Sequence, residues 1–133
     1  MEKQSQPHFE TVMIIDDNVL DVYIASKIIK NCNFAVTILE YNNITDALEY
    51  LKENQNTITA LPQIIFVDIY MPLLGGFEFL DEFQTLSPSV IANCEIVMIS
   101  STIDDRDISK AKLDKRISRF AVKPVTSDFF MKF

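Results

Sequence analysis

Five short runs of apolar and β-branched residues punctuate this chain, and a segment with helical signals follows each one. The runs are TVMII (11–15), FAVTILEY (34–41), IIFVD (64–68), EIVMISS (95–101) and ISRFAVKPV (117–125). After the first, Asn18 is placed to cap a helix, with Asp21 three residues on and Leu20, Ile24 and Ile28 recurring at every fourth position. NITDALEYLKEN sets Ala47, Leu48 and Leu51 on one side of a second helix, and GFEFLDEFQTL sets Phe77, Leu80 and Phe83 on one side of a third. DDRDISKAKLD reads as a charged fourth helix. TSDFFMKF starts a fifth that has room for about two turns after a Thr126 or Ser127 cap. In that last segment Phe129 and Phe133, spaced i and i+4, are expected to face the sheet, with the Phe130 side exposed.

Strand–helix alternation of this kind implies βαβ units, hence a parallel sheet with helices on both faces. Strands covered on both faces read as continuously apolar, as VMII, IIFV and IVMI do. The expected fold is therefore α/β, a doubly wound five-stranded parallel sheet with a shortened last helix. Residues 1–10 are polar, with an early proline, and read as a flexible lead-in to a single domain over 11–133.

Composition narrows the function classes. Apolar residues make up 48% and charged residues 23% of the 133, a balance that supports a packed core. Nineteen acids against twelve bases give a net charge of −7, which disfavours nucleic acid as a partner and favours a cation or a cationic protein surface. There is no apolar run of membrane-spanning length and no signal-peptide core, so a cytoplasmic protein without membrane association is expected. Cys32 and Cys94 lack CxxC spacing and read as reduced thiols.

In an open parallel α/β sheet, ligands bind beyond the carboxyl ends of the strands. Strand one runs into Asp16-Asp17, strand three ends in Asp68, strand four in Ser100 and strand five in Lys123. Any one of these residues alone reads equally well as a solvated loop or helix-start residue. Together, at one sheet edge, three carboxylates repel unless a cation neutralises them. With oxygen ligands on offer and no His or Cys beside them, a hard ion fits, and Mg²⁺ suits a small open carboxylate site.

The segments IIDDN, VDIYMPLLGG, MISST and FAVKP, in that order and at these intervals, resemble the receiver domains of two-component response regulators, of the chemotaxis-type single-domain form. The resemblance runs over roughly Thr11 to Lys132. It implies a flavodoxin-like sheet of strand order 2-1-3-4-5. It also implies a phosphoacceptor role for Asp68, which would take a phosphoryl group from a sensor histidine kinase or a histidine phosphotransfer protein. Asp17 would bind Mg²⁺ (or Mn²⁺ as a substitute) directly and Asp16 mainly through water, with Asp68 and the backbone carbonyl of Tyr70 completing the protein ligands. Lys123 and Ser100 would contact phosphoryl oxygens, with Ser101 the one-residue alternative to Ser100. Ser100 and Phe120 would form the switch pair, Tyr70 and Thr102 would set phosphoryl lifetime, and a cis Lys123-Pro124 bond would aim the lysine inward.

The function implied by the resemblance is that of a signalling phosphoacceptor rather than an enzyme, acting on an unknown downstream protein or relaying phosphate as a monomer or weak dimer. A haloacid-dehalogenase-type phosphatase is disfavoured because Tyr70 stands where its second acid is required. The alternative is a phosphate-independent receiver-like binding module.

Overall fold

The computed structural model describes residues 7–101 and 104–133. Five parallel strands, β1 (Phe9–Ile15), β2 (Ala35–Tyr41), β3 (Ile64–Asp68), β4 (Glu95–Ser100) and β5 (Arg119–Val122), form one sheet in the order β2-β1-β3-β4-β5. The helices are α1 (Val19–Asn31), α2 (Ile44–Glu53), α3 (Gly76–Phe83), α4 (Pro88–Asn93), α5 (Asp105–Leu113) and α6 (Ser127–Met131), with a short 3-10 turn at Ile58–Ala60. This is the flavodoxin-like strand order that the receiver-domain resemblance implies.

Period-two alternation sorts the strand residues into two cores. Met13, Ile15, Ile65, Val67, Ile96 and Met98 face one side with Ala47, Leu48, Leu51, Phe79, Leu80 and Phe83 of α2 and α3. Val12, Ile14, Ile64, Phe66, Val97 and Ile99 face the other, with Ile29 of α1 and Phe130 of α6. The central strand β3 is buried at all five positions, as a strand covered on both faces should be.

Four local features depart from the sequence expectation. Strand β1 starts at Phe9, so Phe9 and Glu10 lie in the sheet rather than in a lead-in, and Phe9 pairs with Ala35. Helix α4 has no counterpart in the five expected helices, although Ser87-Pro88 is a helix-start signal, with proline at a position that needs no N–H. It buries Val90 in the first core.

Helix α1 does not bury the Leu20–Ile24–Ile28 stripe. Ser26 and Ile29 are its buried residues, Val22, Ala25 and Ile28 pack partly, and Leu20 and Ile24 are exposed. An apolar helix surface of this width satisfies more than one periodic reading, and packing on the sheet buries the 22–25–29 side. Finally, Phe130 is the fully buried member of α6, while Phe129 and Phe133 are half-buried. The Phe130 ring lies 5.1 Å from that of Phe34 and 5.6 Å from that of Phe66, closing a core that so short a helix could not cover with aliphatic residues.

Candidate functional site

Register brings the site together. Ile15 pairs with Val67, which sets Asp16 beside Asp68 one step further along both strands. Asp68 pairs with Ile99 and Ser100 with Val122, so the ends of β3, β4 and β5 finish level. Beyond Asp68 the chain must turn at once, and two glycines allow it. A Cβ on Gly75 would lie 2.6 Å from the Ile69 carbonyl oxygen, and one on Gly76 would lie 2.8 Å from the Asp68 carbonyl oxygen. Close backbone approach, rather than unusual φ, is what requires glycine there. The Gly75 N–H donates to Glu78 Oε1 at 2.7 Å and the Gly76 N–H to the Ile69 carbonyl at 2.9 Å, fixing the start of α3 against the end of β3.

Ligand oxygens of Asp16, Asp17 and Asp68 all lie within 4.8 Å of one another, with Asp16 and Asp68 buried and Asp17 exposed. Lys123 Nζ reaches Asp16 Oδ2, Asp21 Oδ2 and Asp68 Oδ2, each at 2.8 Å. The other oxygen of Asp68 accepts from the Tyr70 N–H at 3.1 Å, and Asp16 Oδ1 accepts from the Asn18 N–H at 2.9 Å. The donor set fits a hard divalent ion: three carboxylates converge, one of them open to solvent, and their charge exceeds what a single ammonium neutralises.

Electrostatics follow from burial. Desolvation pushes the Asp68 carboxyl up to about 6 against the pull of the Lys123 hydrogen bond and charge, and neighbouring Asp16 adds to the rise. Burial pulls the Lys123 ammonium the other way, but hydrogen bonds to Asp16, Asp21 and Asp68 outweigh it, so its pKa is raised and the lysine stays charged. The buried Asp68 carboxylate thus lies against the Lys123 ammonium and beside the carboxylates of Asp16 and Asp17.

Ser100 is fully buried at the end of β4, and its carbonyl accepts from the Lys123 N–H at 2.8 Å. Ser101 is exposed and lines, with Asp16, Asp21 and Lys123, the mouth of a cavity of about 320 Å³. Phe120 is half-buried against the first core and pairs with Met98 across β4 and β5. Tyr70 is half exposed beside the site. The Lys123-Pro124 bond is cis. Thr102 lies outside the described residues. Cys32 and Cys94 are both free, and burial pushes the Cys94 thiol up to about 11, so it stays protonated. Among the described residues no helix is long and apolar enough to cross a membrane.

One site residue escapes a reading of the sequence. Asp21 reads there as a residue of the helix start alone, and its backbone N–H does donate to the Asn18 side chain at 3.0 Å. Its carboxylate, however, is a third acceptor for Lys123. The available signal was its place one helical turn beyond the Asp16-Asp17 pair, on the first turn leaving the same sheet edge.

Residues 12–132 match the family described as the response regulator receiver domain, and the chain belongs to that family, a phosphoacceptor module of two-component signalling. It is 25% identical over 128 residues to the sensor histidine kinase CheAY of Helicobacter pylori, covering 96% of this chain and 15% of that protein. It is 29% identical over 126 residues to the two-component response regulator ORR6 of rice (Oryza sativa subsp. japonica), covering 93% of this chain and 66% of that one. The chain thus spans less than two thirds of the length of either relative. A solved two-component response regulator from Cytophaga hutchinsonii has the same fold at a TM-score of 0.85 and 24% identity, with 96% of this chain and 94% of that chain covered.

Proposed function

We propose that Asp68 accepts a phosphoryl group from a histidine, on a sensor kinase or a phosphotransfer protein, and that the phosphorylated domain acts through contact with another protein. The observation that carries this reading is the Asp68 carboxylate itself. It is buried at a strand end, bonded to Lys123 at 2.8 Å and within 4.8 Å of two further acids. An Asp68 oxygen attacks phosphorus, an O–P bond forms as the N–P bond breaks, and the departing imidazole nitrogen takes up a proton. Asp16, Asp17 and Asp68, with the Tyr70 carbonyl, are the residues that would hold Mg²⁺, or Mn²⁺ in its place. When bound, the ion supplies charge neutralisation for the transferring group.

Lys123 holds its positive charge over the same oxygens, and the Ser100 hydroxyl is assigned to a further one. Phe120, packed beside Met98, is the aromatic partner of Ser100 in the switch. Tyr70 and Thr102 are assigned to phosphoryl lifetime, and Tyr70, half exposed beside the site, would prolong the phosphoryl group by shielding it from the hydrolytic water. A cytoplasmic domain, monomeric or weakly dimeric, is the setting we infer.

The test is intact-protein mass after incubation with acetyl phosphate and Mg²⁺. One added phosphoryl group, absent without metal and absent in Asp68→Asn, is the expected outcome. No gain under any condition would replace this reading with the phosphate-independent binding module.

A further inference from the structure

The Lys123 ammonium has three N–H donors, and all three are spoken for: Asp16, Asp21 and Asp68 each accept at 2.8 Å. Two of these acceptors have other work in the proposed reaction, since Asp68 takes up the phosphoryl group and Asp16 serves the metal. Asp21 belongs to neither the phosphoacceptor strand nor the convergent acid group, and it is the acceptor that remains.

The Lys123 side chain is only 16% exposed, yet part of its length faces open space rather than packed neighbours. Its side chain lines the cavity of about 320 Å³ whose wall is formed by Ile14, Ile24, Ile99, Val125 and Phe130. A flexible four-carbon stem beside open apolar space keeps its rotamer freedom unless its head is tied. Asp21 is well mounted to tie it. The residue stands on the first turn of α1, and the cap bond from its N–H to Asn18 Oδ1 fixes the local backbone. At 37% exposure its side chain is also the most accessible of the three acceptors, out of the crowded pair formed by Asp16 and Asp68.

We propose that Asp21 is a positioning residue for Lys123: it keeps the ammonium aimed across the site when Asp16 and Asp68 are given over to the metal and the phosphoryl group. The inference rests on Asp68 being the phosphoacceptor. Asp21 touches neither phosphorus nor, by its placement, the metal. Its effect passes entirely through the lysine.

The experiment follows phosphorylation of the full chain by acetyl phosphate across a Mg²⁺ titration, for wild type, Asp21→Ala and Asp21→Glu. In Asp21→Ala the rate constant at saturating Mg²⁺ is expected to fall about tenfold, the loss of one charge-assisted hydrogen bond from the transition state. The half-saturating Mg²⁺ concentration is expected to move by less than about threefold, because the ligand oxygens are untouched. Asp21→Glu restores the carboxylate and is expected to recover most of the rate. A rate constant for Asp21→Ala within about twofold of wild type, or above it, overturns the proposal, as does a loss that Asp21→Glu leaves unrepaired.

A second readout needs no phosphorylation. In the Mg²⁺-loaded, unphosphorylated protein the ¹⁵N–¹H signal of the Lys123 ammonium, assigned with Lys123→Arg, is expected in wild type and markedly weakened by faster exchange in Asp21→Ala. A signal as strong in Asp21→Ala as in wild type refutes the tie. Were wild type to gain no phosphoryl group on Asp68, the phosphoacceptor reading would fail, and the ammonium signal would still decide whether Asp21 holds Lys123.

Discussion

The face of the sheet covered by α1 and α6 has two ends built on opposite principles. Away from the site, rings from separate elements fill the space. Phe34 lies 5.1 Å from both Phe9 and Phe130 and 5.2 Å from Phe133, and Phe66 joins the same cluster. Toward the site, the same layer opens into the cavity beneath Lys123, and α1 leaves Val19, Leu20, Tyr23 and Ile24 largely uncovered. Phe66 and Phe130 take part in both, as the inner edge of the ring cluster and the wall of the cavity. The difference shows where stability and chemistry are divided. The ring end holds the sheet chiefly by packed side chains, while the site end leaves packing unfinished and positions its groups by hydrogen bonds, which a ligand can exchange.

Truncating a ring at the filled end is the most severe way to probe this contrast. Phe34→Ala is expected to cost about 3–5 kcal/mol in urea unfolding. A loss below about 1 kcal/mol would show that the filled end is no tighter than the open one.

Gly75→Ala tests the rigid joint between β3 and the site. With the Ile69 carbonyl oxygen 2.6 Å from the new Cβ, the backbone must shift, at an expected cost of about 1–3 kcal/mol. An unchanged denaturation midpoint would mean that the turn yields to the added methyl group as readily as the open end of the sheet's other face would.

Asp68→Asn is expected to raise stability of the metal-free protein by about 1–2 kcal/mol near neutral pH. Burial lifts the folded carboxyl from 3.8 to about 6, so the folded state holds this proton more firmly than the unfolded chain. That contribution favours folding fully below the unfolded value and is lost as pH rises through about 6. The gain from Asp68→Asn should therefore shrink as unfolding is measured at pH values falling toward about 4, and a pH-independent difference would contradict the burial account. The smallest effect is assigned to Leu20→Ser, within about 0.5 kcal/mol, since this side chain is largely exposed. A larger loss would show that the uncovered face of α1 supports the fold after all.

Much of this architecture is legible in the sequence because its signals are local. Continuous apolar strands between capped helices give a parallel sheet whichever side chains fill the core, and the strand-end positions of Asp16, Asp17, Asp68 and Lys123 follow from where each run stops. Glycines at 75 and 76 mark the sharp turn after Asp68 for the same reason. The features that do not read from sequence are settled by partners distant in the chain. The inward side of α1 depends on how that helix lies over Ile14 and Phe66, and periodicity does not separate 20–24–28 from 22–25–29.

Phe130 reads wrongly from spacing because two turns of helix carry too few contacts to fix which ring enters the core. Phe34, far earlier in the chain, made that choice. The helix-start role of Asp21 is visible in the sequence and its ion pair only in the fold, since Lys123 is 102 residues away. The sequence by itself determined the sheet, its order of elements and the acids at its edge, through patterns that span a few residues each. The tertiary structure decided which helix face is covered, which ring closes the core and which carboxylate holds the lysine, because each of those depends on surfaces that meet only when the chain has folded.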